Sequence, residues 1–152
     1  MKPWVPVAAL ALALSPLAVI HPVRVSGLSM EPALQDGELV WALWAWCGGT
    51  PERGQLWLVQ GPGGMSVKRA VGLPNDRIEA KDGEIFIDGS RLSEPYVRRS
   101  DHLSGSWACG DGYLMLGDNR PQSHDGRAWG PLPKSALKGR VVGLGGTRSG
   151  GP

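Results

Sequence analysis

Beyond residue 24 this chain cannot run far without turning. Asp36-Gly37, Gly48-Gly49, Gly61-Pro62-Gly63-Gly64, Pro74-Asn75, Asp82-Gly83 and Asp88-Gly89 punctuate it. Each favours a tight turn, because glycine tolerates a positive φ, asparagine and aspartate do so more readily than most residues, and proline fixes its own φ. With 23 glycines and 13 prolines in 152 residues and no collagen or linker period, long helices are excluded from this part of the chain. Between the turns lie short aliphatic and β-branched runs at 23–25, 38–43, 55–59, 67–71, 77–80, 85–87, 113–116 and 139–144, which read as strands. Lys81-Asp82-Gly83-Glu84 is the clearest hairpin signal. Only 133–137 resembles a helical turn, so the expected domain is mainly β.

The N-terminus obeys different rules. Residues 4–20 carry no charge, and a bilayer core of ~30 Å needs about 20 apolar residues, with a lower limit near 17. Pro6 and Pro16 are poor helix residues in water but are better tolerated in a membrane helix. Lys2 followed by an apolar stretch also has the shape of a cleaved secretory signal, yet the residues after Ile20 are His21-Pro22-Val23-Arg24, which offer no small-x-small cleavage site. The expected layout is a single transmembrane helix as anchor at 1–23, a β domain at 24–146 and a flexible tail at 147–152. Lys2 and Arg24 nearly balance across the apolar stretch, so charge alone orients it weakly.

A net charge of +2, with 16 basic residues dispersed among 14 acidic ones, gives no basic stripe and excludes a nucleic-acid partner. No internal repeat is present, and no Cys or His spacing calls for a metal; no cofactor is expected. Cys47 and Cys109 could form one disulfide or sit as plain core residues, and both readings stay open. Seven tryptophans accompany two tyrosines and one phenylalanine. Trp41, Trp44 and Trp46 suit either a β core or the headgroup level of a membrane.

Three segments carry residue types that can do chemistry. Gly27-Leu28-Ser29-Met30-Glu31-Pro32-Ala33-Leu34 follows the apolar stretch, placing the Ser29 hydroxyl near the membrane surface. Lys68 lies in Ser66-Val67-Lys68-Arg69-Ala70-Val71-Gly72-Leu73-Pro74, among apolar residues on an expected strand. A serine needs a base to take its proton, and a lysine serves only when neutral, a state that burial favours. Strand periodicity alone points Lys68 outward to solvent. The third segment runs from Gly117-Asp118-Asn119-Arg120 through Ser123-His124-Asp125 to Arg127. Ser123-His124-Asp125 does not make a triad, because neighbours on an extended chain point in opposite directions. Asp125 and Arg127 could be only a surface pair.

These segments, in this order after an N-terminal anchor, closely resemble bacterial type I signal peptidases. Ser29-Met30-Glu31-Pro32-Ala33-Leu34 resembles the nucleophile motif, Lys68-Arg69 with Gly72-Leu73-Pro74 the lysine motif, and Gly117-Asp118-Asn119-Arg120 through Arg127 the third motif. The resemblance spans residues 25–142. It implies a β fold of small barrel-like sheets that forms an extracytoplasmic catalytic domain, with the N-terminus cytoplasmic. The enzyme would be a single-pass protein of the plasma membrane and a monomer, its partners the bilayer and signal-peptide-bearing preproteins, which it cleaves after small residues. Ser29 would be the nucleophile and Lys68 the general base. Ser123 would orient the lysine by a hydrogen bond, Asp125 and Arg127 would pair to hold the loop, and Asp118 and Asn119 would shape it. Met30, Leu34 and Val67 match positions near the pocket for the small side chain. Gly27 stands where some members carry a serine that helps stabilise the oxyanion. Asn75 replaces a usual glycine and is expected to take a positive φ. Rival readings are a maturation protease dedicated to one substrate in a conjugation or secretion system, and an inactive membrane-tethered domain that binds peptides.

Overall fold

The computed structural model describes residues 19–98, 101–102 and 104–144. The expected anchor up to residue 18 and the tail at 147–152 lie outside the described residues. Among the described residues ten strands form two antiparallel sheets. The larger has the order β1 (Ile20–Arg24), β2 (Leu39–Trp44), β10 (Leu137–Leu144), β3 (Leu56–Gly61), β4 (Gly64–Gly72), β9 (Leu114–Leu116); the smaller has the order β7 (Ser90–Arg91), β6 (Glu84–Ile87), β5 (Arg77–Lys81), β8 (Gly105–Ala108). A four-residue helix, α1 (Gly126–Trp129), and single 3-10 turns at Arg120–Gln122 and Lys134–Ala136 complete these elements. Among the described residues no helix is long and apolar enough to cross a membrane.

The turn chemistry read from the sequence is realised. Asp82-Gly83 (φ 50° and 81°) closes the β5–β6 hairpin, and Asp88-Gly89 (φ 48° and 81°) turns β6 into β7. Both φ values are positive, as the twist-matched two-residue turn requires. Asn75 takes φ 72°, as expected of the residue that replaces a glycine there.

Other boundaries moved. β1 starts at Ile20 rather than Val23, with Ile20 opposite Leu43 and Arg24 opposite Leu39, so residues 20–23 of the expected anchor pair in the sheet. Pro22 is tolerated because β1 is an edge strand with a vacant hydrogen-bonding side. The short strands β7 and β8 and the helix α1 were not anticipated. In α1 the Asp125 side chain accepts from the Arg127 amide and caps the helix, which a loop reading of this segment missed.

Three buried clusters meet on β4. Val67 packs with Val25, Met30, Leu34, Val40 and Leu58; Ala70 with Trp57, Val59, Tyr113 and Met115; Val71 with Ile78, Ile85, Cys109 and Leu114. The larger sheet curls, so β1 and β4, which are not hydrogen-bonded neighbours, line one cavity. Cys47 and Cys109 are free thiols; Cys109 is buried against Gly72, where a Cβ would meet its sulfur at 2.6 Å. Trp41 and Trp44 are each 40% exposed and Trp46 is 75% exposed, so these three are not core residues.

Candidate active site

The turn that carries Ser29 is pinched shut at its base. Val25 N–H donates to the Glu38 carbonyl at 2.8 Å, Gly37 N–H to the Val25 carbonyl at 2.9 Å, and Gly27 N–H to Asp36 Oδ1 at 2.8 Å. Gly27 has φ +87°, a conformation that side chains disfavour. Met30 and Leu34 are buried and anchor the turn in the core, leaving Ser29 at the surface of the cavity.

Lys68 comes from β4, where it sits opposite Trp57. Its outward periodicity is overridden: only 3% of the residue is exposed, because packed clusters cover β4 on both faces. The amine points at the Ser29 turn, with Nζ in hydrogen-bond contact with Ser29 Oγ at 2.7 Å. Burial lowers the lysine pKa below its ordinary value. The nearby Asp125 and Asp118 charges oppose that shift and Arg127 adds to it.

The loop after β9 supports both groups. Asn119 ties it to the Ser29 turn, donating its backbone N–H to the Ser29 carbonyl at 3.0 Å and its Nδ2 to the Leu28 carbonyl at 3.1 Å. Asp118 takes a two-pronged pair from Arg69, Nε to Oδ1 at 2.8 Å and Nη2 to Oδ2 at 2.5 Å, so the residue after Lys68 clamps β4 to this loop. Burial nevertheless pushes the Asp118 carboxyl up, outweighing the help of Arg69. Asp125 accepts from Gly117 N–H at 2.9 Å and from Arg127 Nε at 2.8 Å. Burial works against its charge, but Arg127 and the Gly117 amide hold it below the usual carboxylate range. The Asp125–Arg127 pair is therefore internal, with Asp125 only 1% exposed.

Gly117 is where the segments converge. A Cβ there would stand 2.1 Å from Ser123 Oγ and 2.6 Å from the Ser29 carbonyl oxygen, so only glycine lets the two serine segments come this close. The Ser123 hydroxyl is buried without a hydrogen bond of its own, and the expected bond to Lys68 is not formed. His124 is exposed and tilts against Trp129, with ring centroids 5.9 Å apart.

Beside Ser29 opens a cavity of about 110 Å³ lined by Val23, Val25, Met30, Leu58 and Val67 among others. Met30 and Val67 both line this cavity. Leu34 lies in the same buried cluster without lining the cavity, and Gly27 does not line it either. Among the described residues no group of His, Cys, Asp or Glu could hold a metal ion.

The structure thus brings Ser29 and Lys68 into contact next to a small, mainly apolar cavity. The family model for signal peptidase, peptidase S26, matches residues 1–144. The chain belongs to that family. This signal peptidase family member is 29% identical over 145 residues to signal peptidase IB of Staphylococcus aureus, covering 81% of this chain and 76% of the relative. It is also 29% identical over 142 residues to signal peptidase I V of Bacillus subtilis, covering 82% and 84%. Its fold matches the crystal structure of a signal peptidase I from Enterococcus faecalis V583 with a TM-score of 0.55 and 25% identity, over 61% of this chain and 97% of that one.

Beyond the expected Asp125–Arg127 pair, sequence reasoning missed further partners of the motif arginines. Glu94 pairs with Arg120, Tyr96 stacks on Arg69 and Asp101 pairs with Arg127. The acidic and aromatic residue types were visible, but no sequence pattern says which arginine each will meet.

Proposed function

We propose that this chain is a membrane-bound serine endopeptidase that removes signal peptides from exported preproteins, with Ser29 as nucleophile and Lys68 as general base. The observation that carries the reading is the 2.7 Å contact between Lys68 Nζ and Ser29 Oγ, made by a buried lysine whose pKa burial lowers. A neutral amine at that distance takes the hydroxyl proton as Oγ attacks the scissile carbonyl. As the tetrahedral intermediate collapses to the acyl-enzyme, the ammonium returns a proton to the leaving amine. Water, deprotonated by the same amine, then releases the acyl group and regenerates Ser29. The Ser29 backbone N–H is the oxyanion donor this site offers, and Gly27 adds no side chain to it. Ser123, brought against Gly117 with its hydroxyl unpartnered, would orient the lysine once substrate excludes water. Asp125, Arg127, Asp118 and Asn119 hold the loop in place.

The small apolar cavity suits a short side chain on the acyl side of the cut bond. Met30 and Val67 shape its wall, and Leu34 backs it. Membrane attachment is supported by two features: the charge-free stretch at 4–20 leads directly into β1, and Ile20, Trp41, Trp44 and Val142 are exposed on the neighbouring strands β1, β2 and β10. Exposed indoles beside an apolar segment fit the headgroup level of a bilayer. The proposed topology is single-pass, with the N-terminus cytoplasmic and the β domain outside, acting as a monomer.

The test is cleavage of two unrelated preproteins by the purified full-length chain in detergent micelles, with the new N-termini sequenced. Both are expected to be cut after a small residue, and Ser29→Ala is expected to cut neither. Cleavage of one preprotein alone would favour the dedicated maturation protease, and cleavage by Ser29→Ala would overturn the reading.

A further inference from the structure

Outside the catalytic motifs, Glu94 and Tyr96 sit on two of the three arginines that those motifs contribute. Glu94 Oε1 accepts from Arg120 Nη2 at 2.6 Å, with side-chain exposures of 9% and 2%, and from the Tyr96 hydroxyl at 3.0 Å. The Tyr96 ring covers the Arg69 guanidinium, 4.0 Å from its carbon to the ring centroid. Both arginines act on the residues that face the nucleophile. Arg120 Nε donates to the Gly117 carbonyl at 3.0 Å, and Arg69 grips the Asp118 carboxylate. Gly117 is the residue over which the Ser29 carbonyl and Ser123 converge, and Arg69 is next to Lys68 on β4. A closed circuit therefore runs from Glu94 through Arg120 to Gly117, and from Tyr96 through Arg69 to Asp118, joined at its outer end by the tyrosine–glutamate hydrogen bond.

Each connection does work that a surface ion pair would not. The Arg120 guanidinium is buried, so loss of its carboxylate partner Glu94 would leave an uncompensated charge inside the fold. A planar guanidinium stacked on a ring and held at its edge by a carboxylate has little freedom left. The tyrosine keeps its proton at working pH, since burial and the neighbouring Glu94 charge push the phenol up, and so it remains a donor to Glu94.

We infer that Glu94 and Tyr96 are positioning residues for catalysis: through Arg120 and Arg69 they set the place of the Gly117–Asp118 backbone, and with it the spacing among Ser29, Lys68 and Ser123. Neither touches the cavity beside Ser29. Their loss is therefore expected to lower turnover while leaving substrate affinity nearly unchanged, because small misplacements of reacting groups are costly in rate. The inference rests on the serine–lysine reading of the site.

The test is steady-state cleavage by the full-length enzyme in detergent micelles at a temperature well below melting. Glu94→Gln is expected to lower kcat by about tenfold with KM within about twofold. Tyr96→Phe keeps the ring on Arg69 and loses only the hydroxyl, so a smaller loss of roughly threefold is expected, again in kcat. Ile85→Val, in the smaller sheet, controls for general loss of stability, and Glu84→Gln, whose partner Arg91 lies on the surface, controls for loss of a surface charge. If Glu94→Gln fails to fold, Tyr96→Phe decides. Wild-type kcat in both Glu94→Gln and Tyr96→Phe, or a kcat loss no larger than that of Ile85→Val, would overturn the inference. Retained cleavage in a parallel Ser29→Ala sample would instead sink the catalytic reading on which it rests.

Discussion

Lys68 Nζ meets Ser29 Oγ at 2.7 Å although the two residues are 39 positions apart and the lysine is almost wholly buried. The contact joins an interior strand of the larger sheet to a turn anchored by Met30 and Leu34. It dictates how activity responds to pH. Only neutral Lys68 can accept the serine proton, so kcat/KM is expected to rise with pH through the lysine pKa, with a midpoint below that of an ordinary lysine because burial lowers it. The Asp125 charge raises that pKa, so Asp125→Asn is expected to move the midpoint to lower pH while it also loosens the loop and lowers kcat. A pH–rate profile of both proteins checks this, and a midpoint that moved to higher pH would contradict the assigned electrostatics.

Gly117→Ala drives a methyl group into the gap between Ser123 and the Ser29 carbonyl, where the nearest atoms lie at 2.1 and 2.6 Å. One of the segments must move, at a cost of about 1–3 kcal/mol for overpacking. Denaturant unfolding is expected to show that loss, and preprotein cleavage a larger proportional one. Wild-type turnover would mean that the convergence of these segments is not needed for activity.

The cavity beside Ser29 leads to a specificity prediction. Val67 forms part of its wall, and Val67→Ala deletes two methyl groups from a buried site at a cost of roughly 1–3 kcal/mol. The enlarged pocket is expected to improve cleavage after a valine relative to cleavage after an alanine. Competition between two preproteins that differ only at that residue measures the ratio, and an unchanged ratio would place the side chain elsewhere.

How far the sequence reached can be judged residue by residue. The Asp82-Gly83 and Asp88-Gly89 turns were legible because local φ preference decides them. Ser29 and Lys68 were legible only through ordered motifs, since periodicity pointed Lys68 outward. The physical reason is that β4 is enclosed on both faces: Val67, Ala70 and Val71 each belong to a different cluster, so alternation no longer separates core from solvent there. Strand β1 was read three residues short because Ile20 continues an apolar stretch that looks like membrane anchor. The partners of Arg69 and Arg120 were out of reach, since Asp118 and Glu94 lie 49 and 26 positions away from them and charge pairing over such distances leaves no periodic trace.

The central claim is that Ser29 and Lys68 act as nucleophile and base. It is tested most directly by preprotein turnover of Lys68→Ala beside wild type and His124→Ala, each confirmed as folded by its melting temperature. Lys68→Ala is expected to lose at least about a thousandfold in kcat, and His124→Ala to keep most of the wild-type rate. Near-normal turnover by Lys68→Ala would contradict the serine–lysine mechanism.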